Sequence, residues 1–199
     1  MSRSPWERAL GPEIEKLDPA LRAYFGAIPL GSVGRGEGVF DVVGARRRWL
    51  WPILGILELD GIIFPAWQRQ VPFVITNTPT SSGTIIAKRR FRFGGGDWVM
   101  ADEVGITSAG LTDRLGRSGL VGVALRPSVV EGRLVLRSTG VTLRIGAVRV
   151  PLGALSPRVT LVERAAGARQ HVSLRVHLPF VGTLYEYSGS FSYAIEPED

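Results

Sequence analysis

From Val71 to Tyr193 apolar and polar residues alternate with a period of two almost throughout. Val71, Phe73 and Ile75 share one face, as do Trp98, Met100, Val104 and Ile106, and then Val121, Val123 and Leu125. Leu134 and Leu136 oppose Arg133 and Arg137, and Val141, Leu143 and Ile145 oppose Thr142 and Arg144. Val159 and Leu161 continue the pattern, followed by Val172, Leu174, Val176, Leu178 and Phe180. Successive side chains of a strand point to opposite sides, so this alternation predicts half-buried β-strands. Turn residues separate the runs at Ser82-Gly83, Gly94 to Gly96, Glu131-Gly132, Thr139-Gly140, Gly167 and Gly182. With no helix-length segment between them, the strands read as an antiparallel meander.

A sheet of about 9–11 strands must curl or close, because its twist accumulates and its edges need cover. The expected fold class is therefore mainly β (α+β): a curved antiparallel meander forming a barrel or half-barrel. Short N-terminal helices and one apolar helix that plugs or lids the concave face complete it. The single domain, 1–199, divides into N-terminal helices (1–26), a first strand (31–43), an apolar lid segment (45–67) and the antiparallel sheet (71–194).

The helices at the amino end follow from capping chemistry. Ser4-Pro5-x-Glu7 is a capping-box pattern with proline at the first helical position, and Asp18-Pro19 repeats the device before Ala20 to Phe25. The strand after them is dense in glycine (Gly34, Gly36, Gly38), where missing side chains let another backbone or a ligand come close. Those glycines lack the last glycine and the following helix of a dinucleotide fingerprint. Gly94 to Gly96 lies between two strand patterns and reads as a hairpin turn.

The lid segment is the most apolar part of the chain. Arg46, Arg47 and Arg48 lead into Trp49-Leu-Trp-Pro-Ile-Leu-Gly-Ile-Leu, and the segment ends at Trp67. A span across a bilayer needs about twenty apolar residues, and the run before Glu58 falls well short of that. Pro52 suits the first turn of a short helix that is apolar on nearly all sides. Arginines ahead of a helix amino end oppose its dipole, a conflict that a nearby anion removes.

Composition narrows the function classes. The chain has 199 residues, a net charge of +6 and no cysteine, which excludes disulfide and thiol chemistry. Two of its 24 cations are lysine and the rest are arginines scattered along the chain, a distribution that speaks against specific nucleic-acid binding. Arginine beside apolar surface equally suits phospholipid headgroups. Glu7, Glu13, Glu15 and Lys16 interrupt the first twenty residues, which do not read as a secretory signal. The expected location is the cytoplasm, or peripherally at the inner membrane.

Candidate chemistry is sparse. His171 and His177 lie six residues apart on one strand, roughly 20 Å, too far to share a metal. No common hydrolase, metalloprotease or phosphate-loop signature occurs, so no catalytic residue, metal or cofactor is assigned. Arg89 shares its face with Ile85, Ala87, Phe91 and Phe93, and a buried arginine must be paired; Asp102 on the next strand is the expected partner. Tyr185, Tyr187, Phe191 and Tyr193 form a stripe on the final strand, where hydroxyls inside a cavity would orient a ligand's polar head.

Several short motifs in order carry a family resemblance: Leu17-Asp-Pro-Ala-Leu-Arg22, Val71-Pro-Phe-Val, Arg89-x-Phe91, Val150-Pro-Leu-Gly-Ala-Leu-Ser-Pro157 and Leu178-Pro-x-x-Gly182-x-Leu184-x-x-Tyr187-x-Gly189. Together they resemble the bacterial domain of unknown function 4166, over nearly the whole chain. The tryptophan that precedes Arg-x-Phe in such domains is replaced here by Thr84-Ile-Ile-Ala87. Similar domains are appended to Rossmann-type oxidoreductase or epimerase domains, so the resemblance implies an accessory or substrate-holding role with such an enzyme as partner.

The leading expectation is non-catalytic binding of a lipid or other hydrophobic small molecule in the sheet's cavity. Its expected ligand contacts are Arg89, Phe91, Asp102, Tyr185, Tyr187, Tyr193, Trp49, Ile53 and Ile56. The alternatives are an interaction protein that meets an anionic membrane surface through Arg46, Arg47, Arg48, Trp51 and Trp67, and an enzyme subunit using Arg89, Asp102 and the tyrosines.

Overall fold

The computed structural model describes residues 3–198. It contains helices α1 (Pro5–Leu10), α2 (Pro19–Phe25) and α3 (Trp51–Glu58). The strands are β1 (Ser32–Gly44), β2 (Trp67–Pro79), β3 (Ile85–Phe93), β4 (Gly96–Thr107), β5 (Gly110–Leu115) and β6 (Val121–Val130). They continue with β7 (Arg133–Ile145), β8 (Val148–Pro151), β9 (Arg158–Ala166), β10 (Arg169–Leu178) and β11 (Gly182–Pro197). Ten of these form a closed antiparallel barrel in the order β1 to β7, then β9, β10 and β11, while β8 extends the end of β7 as a hairpin. The first and last strands make the closure, from Ser32 opposite Pro197 to Gly44 opposite Glu186. Full closure removes both sheet edges, which decides between the barrel and half-barrel that the alternation alone left open.

The glycine-dense strand β1 lies at this closure. A Cβ on Gly34 would lie 1.5 Å from the Tyr193 hydroxyl, and one on Gly38 would lie 2.6 Å from Cβ of Phe191. The missing side chains of β1 thus make room for the aromatic stripe of β11.

An antiparallel barrel sends its connections alternately to two ends, and each end has its own plug. At one end the capping box forms as expected: the Glu7 amide donates to Ser4 Oγ (3.1 Å) and the Ser4 amide donates to the Glu7 carboxylate (2.6 Å). Ser4 Oγ also donates to the Phe25 carbonyl (2.6 Å), tying α1 to α2, and the Asp18 amide donates to the carbonyl of Gly132 in the β6–β7 turn (2.9 Å). The Asp18 side chain makes no cap hydrogen bond, so the second predicted capping device supplies only its proline.

At the opposite end α3 crosses the barrel mouth. Asp60, just beyond it, accepts from the amide (2.9 Å) and hydroxyl (2.7 Å) of Ser118 in the β5–β6 turn, and Ala101 of β4 donates to the Gly61 carbonyl (3.0 Å). Leu50 and Leu54 are buried beneath it. The apolar helix α3 thus lids one end of the barrel, and the N-terminal helices cover the other.

The interior is divided between packing and hollow. Phe40, Phe73 and Phe91 stack against the β1–β3 wall, with Phe40 and Phe73 centroids 3.9 Å apart, and Phe64 reaches in from the α3 segment onto Phe91 and Phe93. The space beyond this cluster, toward β4 to β10, is hollow.

A polar cluster in an apolar barrel cavity

The cavity measures about 130 Å³. Its walls are mostly aliphatic, including Val104, Val123, Leu136, Leu161 and Val176, and Trp6, Tyr24 and Phe25 of the N-terminal helices cover one side. Each wall residue on a strand stands at an inward position of the period-two pattern. Three carboxyl groups and one guanidinium occupy such positions as well: Arg89 on β3, Asp102 on β4, Asp113 on β5 and Glu163 on β9.

Arg89 is ion-paired to Asp102, whose side chain is 4% exposed. Burial disfavours the Arg89 charge, but Asp102, Tyr187 and Tyr24 nearby outweigh it and hold the guanidinium protonated. Asp113 titrates well above the usual carboxylate range, first because it is buried and second because Asp102 repels a further negative charge, with Arg89 opposing both. Glu163 is pushed up to about 7 by burial, against the lowering influence of a hydrogen bond from Gln170 and of Arg89. The hydroxyls of Tyr24, Tyr185 and Tyr187 are raised by burial above all, so they stay protonated.

Among the described residues, three buried side-chain polar atoms have no hydrogen-bond partner: Asp102 Oδ1, Asp113 Oδ1 and the Tyr185 hydroxyl. All three residues line the cavity. An orphaned buried polar atom costs about 1–3 kcal/mol, and Asp102 Oδ1 beside Arg89 can only accept, so a guest that donates a hydrogen bond there is favoured. Among the described residues, no group of three or more His, Cys, Asp or Glu side chains is placed to hold a metal ion.

The residues expected from sequence divide sharply. Arg89, Asp102, Tyr185 and Tyr187 are brought together on the cavity wall. Phe91 is fully buried but belongs to the aromatic cluster. Tyr193 lies beside the cavity, where its hydroxyl accepts from Asn77 (3.5 Å) and its ring meets Tyr24 edge-on. Trp49, Ile53 and Ile56 do not reach the cavity: they are 62%, 58% and 65% exposed, because α3 turns Leu54 inward with Ile53 and Ile56 outward, and the turn before it buries Leu50 and leaves Trp49 outside. Of the residues expected at a membrane, Arg46, Arg47 and Arg48 are exposed. Trp51 is half-buried, its indole donating to the Ala45 carbonyl (3.0 Å) under the Arg48 guanidinium, and Trp67 is half-buried on β2.

Sequence reasoning missed Asp113, Glu163, Tyr24 and Trp6. The signal for the first two was present, since Asp113 falls between Leu111 and Leu115, and Glu163 follows Val159 and Leu161, at the same period-two spacing. The helical pair carried no such signal, because their aim depends on how the helices cap the barrel.

No curated protein and no solved structure matches the chain. A family model does, over residues 17–191, and its description is Domain of unknown function (DUF4166). With nearly its whole length matched, the chain belongs to that family.

Proposed function

We propose that the barrel binds a small, mostly apolar molecule whose polar head donates hydrogen bonds, a hydroxyl- or amine-bearing lipid fragment or comparable compound, without transforming it. The observation that carries this reading is the set of unpartnered buried oxygens on Asp102, Asp113 and Tyr185 in an otherwise aliphatic cavity. Ligand sites of this kind combine apolar walls with a few convergent polar groups. The polar set also selects against a carboxylate head, because a further anion beside the Asp102 carboxylate would be repelled, as the raised Asp113 pKa already reflects.

Organic extraction of purified protein followed by mass spectrometry, with titration by an apolar fluorescent probe, tests the proposal. Expected are a co-purifying molecule or a saturable rise in probe fluorescence, and loss of either in Leu161→Trp, which fills the hollow. Absence of a ligand together with a flat probe titration in the native protein would refute it.

A further inference from the structure

The exposed large apolar side chains are concentrated at one end of the barrel. Among the described residues, nine of the thirteen lie in connections at the α3 end, Val99 lies on β4, and Leu30, Val130 and Ile195 lie toward the other end. Three separate connections supply the nine. The β1–β2 segment gives Trp49, Ile53, Ile56 and Leu59, the β7–β9 connection gives Ile145, Val148, Val150 and Leu155, and the β10–β11 turn gives Phe180.

These connections are neighbours on the rim. Around the barrel β7 is followed by β9, β10, β11, β1 and β2, so the three form one continuous arc. The remaining turns at that end are polar and small: Gly94 to Gly96 between β3 and β4, and Gly116 to Gly119 between β5 and β6. Phe180 is 101% exposed and held at φ 64, a backbone conformation that a bulky residue adopts at a cost. Nothing in the fold compensates for an aromatic ring held out in water there.

Charge follows the same axis. Arg46, Arg47, Arg48, Arg144 and Arg149 are exposed at the α3 end, and none is ion-paired to a carboxylate within 4.0 Å among the described residues. The opposite end mixes its signs: Lys16 pairs with Glu13, Arg22 with Glu15 and Arg133 with Glu131, and Arg3 and Arg8 stand with Asp18, Glu196 and Glu198. Apolar tips with unpaired arginines behind them match a bilayer with anionic headgroups, where tips enter the acyl boundary and arginines hold phosphates. We infer that the α3 end of the barrel docks, barrel axis toward the bilayer, onto an anionic lipid surface through Trp49, Ile53, Ile56 and Phe180, with Arg46 to Arg48 holding headgroup phosphates. This goes beyond the cavity reading and shares no residue with it.

Flotation with phosphatidylcholine vesicles, with and without phosphatidylglycerol, tests the inference. Binding is expected only with the anionic lipid and should weaken as salt rises, because exposed charges are screened. Each arginine of Arg46 to Arg48 changed to glutamine should weaken it about fivefold, the equivalent of about 1 kcal/mol per basic residue. Phe180→Asp should weaken binding about tenfold or more. Brominated lipid should quench emission in the native protein and not in Trp49→Phe. Circular dichroism checks that each variant is folded, which these exposed positions favour. Absence of flotation at low salt, or flotation unchanged in a folded Phe180→Asp, would overturn the inference. So would a dimer that forms without lipid and dissolves in Phe180→Asp, which would assign the face to a second copy of the chain.

Discussion

Replacing Glu163 by glutamine separates the electrostatics of the cavity from its packing. Glu163 is 5% exposed, stands on β9 opposite Val172 and Leu134, and accepts a hydrogen bond from Gln170, itself 3% exposed. Burial raises its pKa from 4.5 to about 7, with the Gln170 hydrogen bond and Arg89 pulling the other way. Such an acid keeps its proton in the native state after the unfolded chain has lost it. Between those two values the native state binds more protons than the unfolded one, so this group's contribution to stability falls as pH rises through the window and is constant above it. At roughly 1.4 kcal/mol per pH unit, the loss is about 3 kcal/mol.

The glutamine variant keeps an acceptor for Gln170 and cannot titrate. Urea unfolding of both proteins, followed by tryptophan fluorescence, should give nearly equal stabilities at about pH 4 and a variant more stable by about 3 kcal/mol at about pH 8. Asp113 shifts in the same direction as Glu163, but it is present in both proteins and cancels from their difference. Carbon-13 NMR of the Glu163 carboxyl should show a midpoint near 7, which would move higher still in an Arg89 variant. A stability difference independent of pH, or a midpoint at the ordinary glutamate value, would refute the argument that the carboxyl is held in a dry interior.

Two further substitutions test the frame around the cavity. Arg89→Met leaves Asp102 buried without its partner and should cost about 3–5 kcal/mol in chemical denaturation, while Arg89→Met with Asp102→Leu should recover most of it. Gly34→Ala places a methyl group on the Tyr193 hydroxyl and should cost about 1–3 kcal/mol in thermal or urea unfolding, with Tyr193→Ala restoring much of the loss. If Gly34→Ala proved neutral, the view that β1 is glycine-rich to admit the aromatic stripe would fail.

The strands were legible because their side chains repeat every two residues and their turns carry glycine; the ten-strand ring adds the pairing of β1 with β11, a contact across the whole chain that alternation cannot encode. The Arg89–Asp102 pair was legible for a local reason, since each interrupts an apolar face on adjacent strands. Asp113 and Glu163 interrupt their faces in the same way; Asp113 joins the pair from β5, the strand next to β4, and Glu163 joins it only because closure brings β9 toward β3. The apolar helix was read correctly as a helix and only in part as to its facing. With nearly every position apolar, the sequence of α3 holds no contrast to say which side turns inward, and the tethers at Asp60 and Gly61 decide it.

A barrel that needed only to be stable would not be built with this interior. Replacing a buried ion pair by well-packed apolar side chains is often neutral or stabilising, so Arg89, Asp102, Asp113 and Glu163 together work against the stability of the fold. They come from four strands and converge on one hollow, and three oxygens there remain unpartnered. Violations of local consistency tend to collect at functional sites, and the rim at the α3 end is a second such collection, with Phe180 and Trp49 in solvent where the pattern of a soluble barrel calls for polar tips. The two sets lie on different elements and have different remedies. A guest with hydrogen-bond donors satisfies the first and an anionic bilayer satisfies the second. Phe180→Asp should therefore weaken lipid docking without changing probe binding, and Leu161→Trp should do the reverse. A single variant that removed both would show that the rim and the hollow form one site, with the ligand entering past α3.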